Sequence, residues 1–307
     1  MNVLRGDFRT WDYAGLPAAA TIGVFDGLHR GHQALVNTIV AEANQCDLAP
    51  VVITFERHPG HLLRPGRVPK RLTTNEQRLE IFGDLGVVTV ALLEFDERVR
   101  SMEPEEVVTE LLLGVFRTEF LTVGPEFRFG RDQHGDVTLL TALAPKHGFR
   151  FEPIPLHGDR EPFRATAVRA ALARGDLETT NRILGRPFQI RGKVIHGDGR
   201  GNAIGFPTAN LEIDPDQALP RFGVYAVMAG VGGVVHPGVC NIGVRPTFEG
   251  ASEALEVHLL EGGRDLYGEE LSVDFMVRVR DEQKFDGIDA LVTQIGRDVA
   301  AAAVMLG

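Results

Sequence analysis

The stretch Thr21-Ile-Gly-Val-Phe-Asp-Gly-Leu-His-Arg-Gly-His32 constrains the N-terminal half of the chain more than any other. Ala18 to Phe25 is short, small and apolar, as in a strand buried on both faces of a parallel sheet. Leu35, Ile39 and Ala43 then recur at helical spacing, so a strand runs through a glycine turn into a helix. At the start of such a helix the backbone N–H groups lack intrahelical acceptors and the dipole is positive. An anion placed there is stabilised without a basic surface, and phosphate is the obvious candidate. His29 and His32, three residues apart, can project from one side of the first helical turn. Phosphoryl-type transfer needs stabilisation of developing charge, which imidazole N–H donors supply. The candidate phosphate-site residues of this run are Gly23, Phe25, Asp26, Gly27 and Gly31 beside the two histidines.

Downstream, Val51 to Phe55 reads as the next buried strand, and Glu56-Arg-His-Pro59 as a loop past its end, where α/β sheets bind ligands. Asn75 to Gly83 has a helical pattern, Val87 to Leu93 is a third strand, and Glu103 to Leu113 a helix with an acidic first turn. This βαβ alternation predicts a Rossmann-like α/β domain, a parallel sheet with helices on its faces. Glu103, Glu105 and Glu106 are dipole partners at a helix start and receive no catalytic role. Phe120 to Gly124 is a further strand, opening into the loop Pro125 to Asp136. Its interleaved aromatic, cationic and glycine residues suit a loop that packs a planar ring near phosphates, and equally a surface loop anchored by Phe127 and Phe129. Phe149 to Ile154 and Arg164-Ala-Thr-Ala-Val-Arg169, the latter leading into a helix, complete this half.

Gly175 to Pro187 reads as a short helix ended by glycine and proline, a seam between domains. Beyond it the rhythm changes. Phe188 to His196, Gly223 to Ala229, Gly233 to Cys240, Leu255 to Leu260 and Leu271 to Arg280 are short β-rich runs separated by turn residues. They predict a mainly antiparallel β-barrel, closed by a C-terminal helix over Asp286 to Met305. Gly197, Gly199, Gly201 and Gly205 make sense where backbone must pass close to a phosphate. Pro207 follows, then Thr208 and Asn210, whose oxygens suit a hard divalent ion such as Mg²⁺. Glu256 and His258 share one face of a strand whose other face is Leu255, Val257 and Leu259. A carboxylate there is a candidate to take a proton from an attacking alcohol.

The chain's 307 residues suffice for two domains. A formal net charge of −10 argues against nonspecific nucleic-acid binding, which needs many lysines and arginines, so phosphate must be met locally. No apolar run approaches a membrane span and the N-terminus has no signal-peptide pattern. Cys46 and Cys240 lie far apart in no metal-ligand spacing, consistent with a reducing cytoplasm.

The run G-V-F-D-G-L-H-R-G-H resembles the signature of the HxGH nucleotidyltransferases, especially the bacterial bifunctional riboflavin kinase/FAD synthetases. The segment around Gly205-Phe-Pro-Thr-Ala-Asn210 is very similar to the metal and nucleotide motif of riboflavin kinases. Asn241 to Phe248, Asp265-Leu-Tyr-Gly268 and Arg280 to Phe285 match the same pattern, so the similarity runs nearly to the end. It implies an adenylyltransferase domain over 1–184 and a riboflavin kinase domain over 185–307. Riboflavin, FMN, FAD and ATP are the implied substrates and products, and Mg²⁺ the implied metal. The resemblance further implies that Glu256 is the general base for the riboflavin 5′-hydroxyl, that Glu126, Phe127, Phe129, Asn241 and Arg280 contact flavin, and that Thr166 and Arg169 hold the ATP triphosphate. Two departures stand out. Glu126 replaces a common aspartate, and Arg164 and Ala165 replace two serines of the phosphate clamp, at a cost on the order of 1 kcal/mol per lost hydroxyl contact. The alternative is therefore a riboflavin kinase alone, its first domain kept as a scaffold or flavin-nucleotide sensor.

Overall fold

The structure is a computed structural model that describes residues 1–155, 163–197, 201, 204–247, 250–262 and 265–307. The chain divides into two compact units, Met1–Arg164 and Ala165–Gly307.

In the first unit the strands are Asn2–Gly6 (β1), Ala18–Ile22 (β2), Ala49–Phe55 (β3), Thr89–Leu93 (β4), Phe120–Thr122 (β5) and Arg150–Phe151 (β6). They form one sheet in the order β1-β4-β3-β2-β5-β6, every neighbouring pair parallel. Alternation along β2 explains its wholly apolar sequence, because each face meets a different core. Ala18, Ala20 and Ile22 enter one with Ile53, Leu93 and Leu111, while Ala19 enters the other with Val52, Leu92, Leu35 and Ile39. Leu111 belongs to the helical segment Val107–Val115 and Leu35 and Ile39 to the helix Arg30–Cys46, so the sheet is covered on both sides. Burying each such leucine or isoleucine contributes about 1.5–3 kcal/mol. From β2 the chain steps outward to β3 and β4, then returns to place β5 on the other side of β2. Strand order thus reverses at β2, and a crevice at the carboxyl end of the reversal is where open α/β sheets take their ligands.

The second unit opens with helices Ala165–Arg174 and Leu177–Leu184. The sequence pattern groups these with the first domain, whereas the compact division sets them with the barrel. Asn181 gives a physical reason: its amide nitrogen donates to the Phe275 carbonyl at 3.0 Å and its oxygen accepts from the Phe188 N–H at 2.9 Å. The barrel strands are Phe188–Ile195 (β7), Ala209–Leu211 (β8), Gly223–Val231 (β9), Val234–Thr247 (β10), Gly250–Leu259 (β11) and Glu270–Arg280 (β12). They close in the order β10-β11-β8-β7-β12-β9 with antiparallel neighbours. The final helix Ile288–Leu306 packs outside the barrel, its Ala302 and Val299 against Val224, Ala226 and Val239.

Candidate active sites

The turn after β2 is built on unusual backbone. Phe25 (φ 51°), Gly27 (φ 74°) and Leu28 (φ 43°) are all left-handed, and two of them are not glycine. For Phe25 and Leu28 such conformations cost on the order of 1–3 kcal/mol each and persist only where the surroundings over-determine them. Here Phe25 is 1% exposed, edge-on to Phe82, and Leu28 is 0% exposed. Asp26 fastens the turn: its carboxylate accepts from the Leu72 N–H at 2.9 Å and the Thr73 N–H at 3.3 Å, while the Gly27 N–H donates to the Thr73 hydroxyl at 3.0 Å. That geometry shapes the loop and points the Asp26 carboxylate at protein backbone.

His29 caps the following helix, its Nδ1 accepting from the His32 backbone N–H at 3.3 Å, which leaves the proton of the neutral ring on Nε2. The two imidazoles stack with centroids 3.6 Å apart and 19° between planes. Gly31 permits this, because a Cβ there would stand 3.2 Å from the His29 ring and 3.4 Å from the Phe163 carbonyl. Nδ1 of His32 is enclosed and has no hydrogen-bond partner among the described residues. Burial pushes His32 well below the ordinary imidazole value, and nearby His29 and Arg78 add to the effect. Sequence reasoning had passed over Arg78, whose only trace is its position four residues before Phe82 on the buried side of the helix Asn75–Asp84.

Beside this turn lies a cavity of about 830 Å³, lined by Gly23, Val24, Phe55, His58, Glu126, Phe127 and Phe129 among others. His29 and His32 are not among its lining residues. Phe127 and Phe129 lie nearly parallel, 5.4 Å between centroids. Phe129 also exchanges two backbone hydrogen bonds with Gly135, at 3.1 and 2.9 Å, so the loop is a closed hairpin. Phe127 and Phe129 anchor the loop in the core, as the second reading of it expects, and also wall the cavity. Exposed Glu126 pairs with Arg164 at 2.6 Å, joining two of the three positions where the sequence departs from its expected pattern. Thr166 and Arg169 stand on the first turns of the helix Ala165–Arg174, in the second unit.

In the barrel, cross-strand register sets Glu256 of β11 directly between Asn210 of β8 and Asn241 of β10. Two cavities of about 360 and 350 Å³ meet there, with Gly201, Thr208 and Asn210 lining both. The first also has Gly197, Pro207, Asp265 and Tyr267, and the second Asn241, Glu256, His258, Arg280 and Asp298. Glycine is required close by: a Cβ on Gly197 would collide with the Asn210 amide, and one on Gly201 with the Phe206 carbonyl and, at 3.0 Å, with the Thr208 hydroxyl. Gly205 has φ 84°. Gly199 lies outside the described residues. His258, unassigned by sequence, bonds through Nδ1 to the Pro207 carbonyl at 2.8 Å. Among the described residues no cluster of His, Cys, Asp or Glu could cage a metal. The hydroxyl of Thr208 and the amide oxygen of Asn210 are hard donors that fit a divalent ion completed by nucleotide phosphates. Asp298, which the sequence reading also missed, is 3% exposed and holds Arg280; its spacing from Ile295 and Ala302 on one helix face was the available signal.

Residues 15–162 match the family described as FAD synthetase, and residues 184–306 the family described as Riboflavin kinase. The Escherichia coli K12 bifunctional riboflavin kinase/FMN adenylyltransferase is 40% identical over 311 residues, covering 100% of this chain and 98% of the relative. The Bacillus subtilis protein of the same name is 36% identical, covering 90% and 89%. A solved structure described as a macrolide-efflux protein from Streptococcus pneumoniae superposes with a TM-score of 0.87 at 27% identity, covering 99% of both chains. Among the described residues no helix is long and apolar enough to cross a membrane.

Proposed function

The chain belongs to the family of bifunctional riboflavin kinase/FMN adenylyltransferases, which makes FMN from riboflavin and FAD from FMN with ATP, and on that premise we propose where each reaction takes place and which residues perform it. The carrying observation is the pair of barrel cavities joined at Gly201, Thr208 and Asn210. ATP occupies the first, its phosphates passing over the wall that includes Gly197 and Gly201. Riboflavin occupies the second, between Asn241, Arg280 and the final helix. Glu256 accepts the proton of the 5′-hydroxyl as that oxygen bonds to the γ-phosphorus and the bond to the β–γ bridging oxygen breaks, releasing ADP. The family uses a divalent metal, and Mg²⁺ is our choice. Thr208 and Asn210 would hold it, and when bound it neutralises charge on the phosphates.

In the first unit the flavin ring of FMN sits in the cavity walled by Phe55, Phe127 and Phe129, with Glu126 at its edge. A phosphate oxygen of FMN attacks the α-phosphorus of ATP, and pyrophosphate leaves. Nε2–H of His29, neutral His32 and the main-chain amides of Arg30 and Gly31 at the start of the helix stabilise the charge that develops. A cytoplasmic setting suits an ATP-dependent enzyme with two free cysteines, Cys46 and Cys240.

The test is to incubate the purified chain with riboflavin, ATP and Mg²⁺ and separate the flavins by chromatography. FMN and FAD should both accumulate. FMN alone would reduce the first unit to a scaffold or sensor, and unchanged riboflavin would overturn both assignments.

A further inference from the structure

We propose that Arg78 is a positioning residue for adenylyl transfer, locking the turn that carries His29 and His32 to the end of the neighbouring strand. The proposal rests on the assignment of that histidine pair to the FMN-to-FAD step.

Arg78 is 6% exposed, on a helix whose start is fixed by a capping box between Thr74 and Gln77. Its Nη1 donates to the Val24 carbonyl and to the Thr54 hydroxyl, both at 2.9 Å. Its Nη2 donates to the Phe55 carbonyl at 2.7 Å and to the Asn75 side-chain oxygen. Val24 lies just past β2, and Thr54 and Phe55 end β3. One planar fork therefore ties together the carboxyl ends of the two strands beside the strand-order reversal. Val24 and Phe55 both line the cavity assigned to the flavin. Asp26 and Gly27 in turn bind Leu72 and Thr73, so a single segment, 72–78, grips the turn at Val24, Asp26 and Gly27.

All four acceptors of the guanidinium are neutral, and burial pushes Arg78 down to about 10. A buried cation with neutral partners is expensive, and apolar side chains would meet a packing need at lower cost. The charge has a use where it stands. The charged groups around Arg78 are Asp26 on the turn, Glu56 after β3, Glu76 on its own helix and Arg71 just before the segment. His32 faces His29 and Arg78, so a fixed cation beside it favours its neutral form. Geometry and charge are separable, because lysine keeps the charge but lacks the planar fork.

The experiment uses full-length Arg78→Lys and Arg78→Gln, with His29→Ala and His32→Ala as controls. Each variant is assayed for FMN formation and for FAD formation from FMN across pH 5–9, and its thermal unfolding is recorded. FMN formation should stay within twofold of wild type in both Arg78 variants. For FAD formation, kcat should fall roughly tenfold or more in both. The acid limb of kcat/KM should stay in place in Arg78→Lys and move to higher pH in Arg78→Gln. FAD formation within twofold of wild type in both, or an acid limb that does not distinguish them, overturns the proposal. So does unfolding of the first unit in both, which would make Arg78 purely structural. Unimpaired FAD formation in the two histidine controls would refute the site assignment instead.

Discussion

Asp298 receives the Arg280 guanidinium in a forked arrangement, Nε to Oδ1 at 2.9 Å and Nη2 to Oδ2 at 2.7 Å, and so fastens the final helix to the end of β12. The same carboxylate accepts from Gln294 at 2.9 Å, and Arg280 spends a further donor on the Asp281 carbonyl at 2.8 Å. With side chains 4% and 17% exposed, the pair is one in which losing Asp298 strands a part-buried charge, at a cost below the roughly 3–5 kcal/mol of a fully buried pair. Asp298→Ala should therefore lower the unfolding midpoint of the barrel and raise KM for riboflavin, whose proposed cavity this pair lines, more than KM for ATP. A double variant, Arg280→Met with Asp298→Leu, should recover most of the stability but not the riboflavin KM. Calorimetry and steady-state kinetics on the two proteins check this.

Glu256 stands opposite Asn210 on one neighbouring strand and Asn241 on the other. Glutamine keeps its shape and loses its basicity. Glu256→Gln should slow FMN formation by about 10²–10⁴-fold, the usual contribution of a positioned base. FAD formation from supplied FMN should be unchanged. Wild-type kinase rates in this variant would remove Glu256 from the reaction.

Much of this was legible in one dimension because it is written in periodicity. The apolar run of β2, the helix at 75–84 and the barrel strands from Phe188, Gly223 and Glu270 fall close to where pattern places them. β1 at Asn2–Gly6 was missed, since five residues with mixed burial offer little pattern, and the helix Val137–His147 was missed behind a loop-like approach. β10 and β11 run longer than expected because their ladder continues through the pairs Pro246 with Ala251 and Thr247 with Gly250. Candidate site segments stood out where glycines and histidines cluster in sequence. Arg78 and Asp298 were not, because a buried charge among helical residues declares itself only when its partners, Val24 or Arg280, come from distant segments.

Gly197 offers a test of how tightly the barrel site is packed. An added Cβ would collide with the Asn210 side chain, so Gly197→Ala must displace the amide that we assign to the metal and phosphates. FMN formation should fall at least tenfold with a raised KM for Mg-ATP, and the unfolding midpoint should move little. An alanine variant with unchanged kinetics would show that the Asn210 amide can move aside without consequence for ATP.

His32 ties the stability of the first unit to pH in a direction that follows from its surroundings. Its ordinary value is 6.5, and burial, with His29 and Arg78 beside it, sets the folded value well below that. Between the folded and unfolded values the unfolded chain binds the proton and the folded chain does not, so stability rises with pH in this window. The contribution is fully present above about 6.5, the unfolded value, and is lost progressively as pH falls toward the folded one, by at most about 1.4 kcal/mol per pH unit. Most carboxylates titrate below about pH 5, so the interval from about 6.5 to 5 isolates imidazole protonation. Thermal unfolding of the first unit should therefore shift to lower temperature across that interval in the wild-type chain, and His32→Asn should flatten the shift. An equal slope in both proteins would mean that His32 takes up its proton as readily folded as unfolded, and the enclosed, neutral imidazole would no longer describe this site.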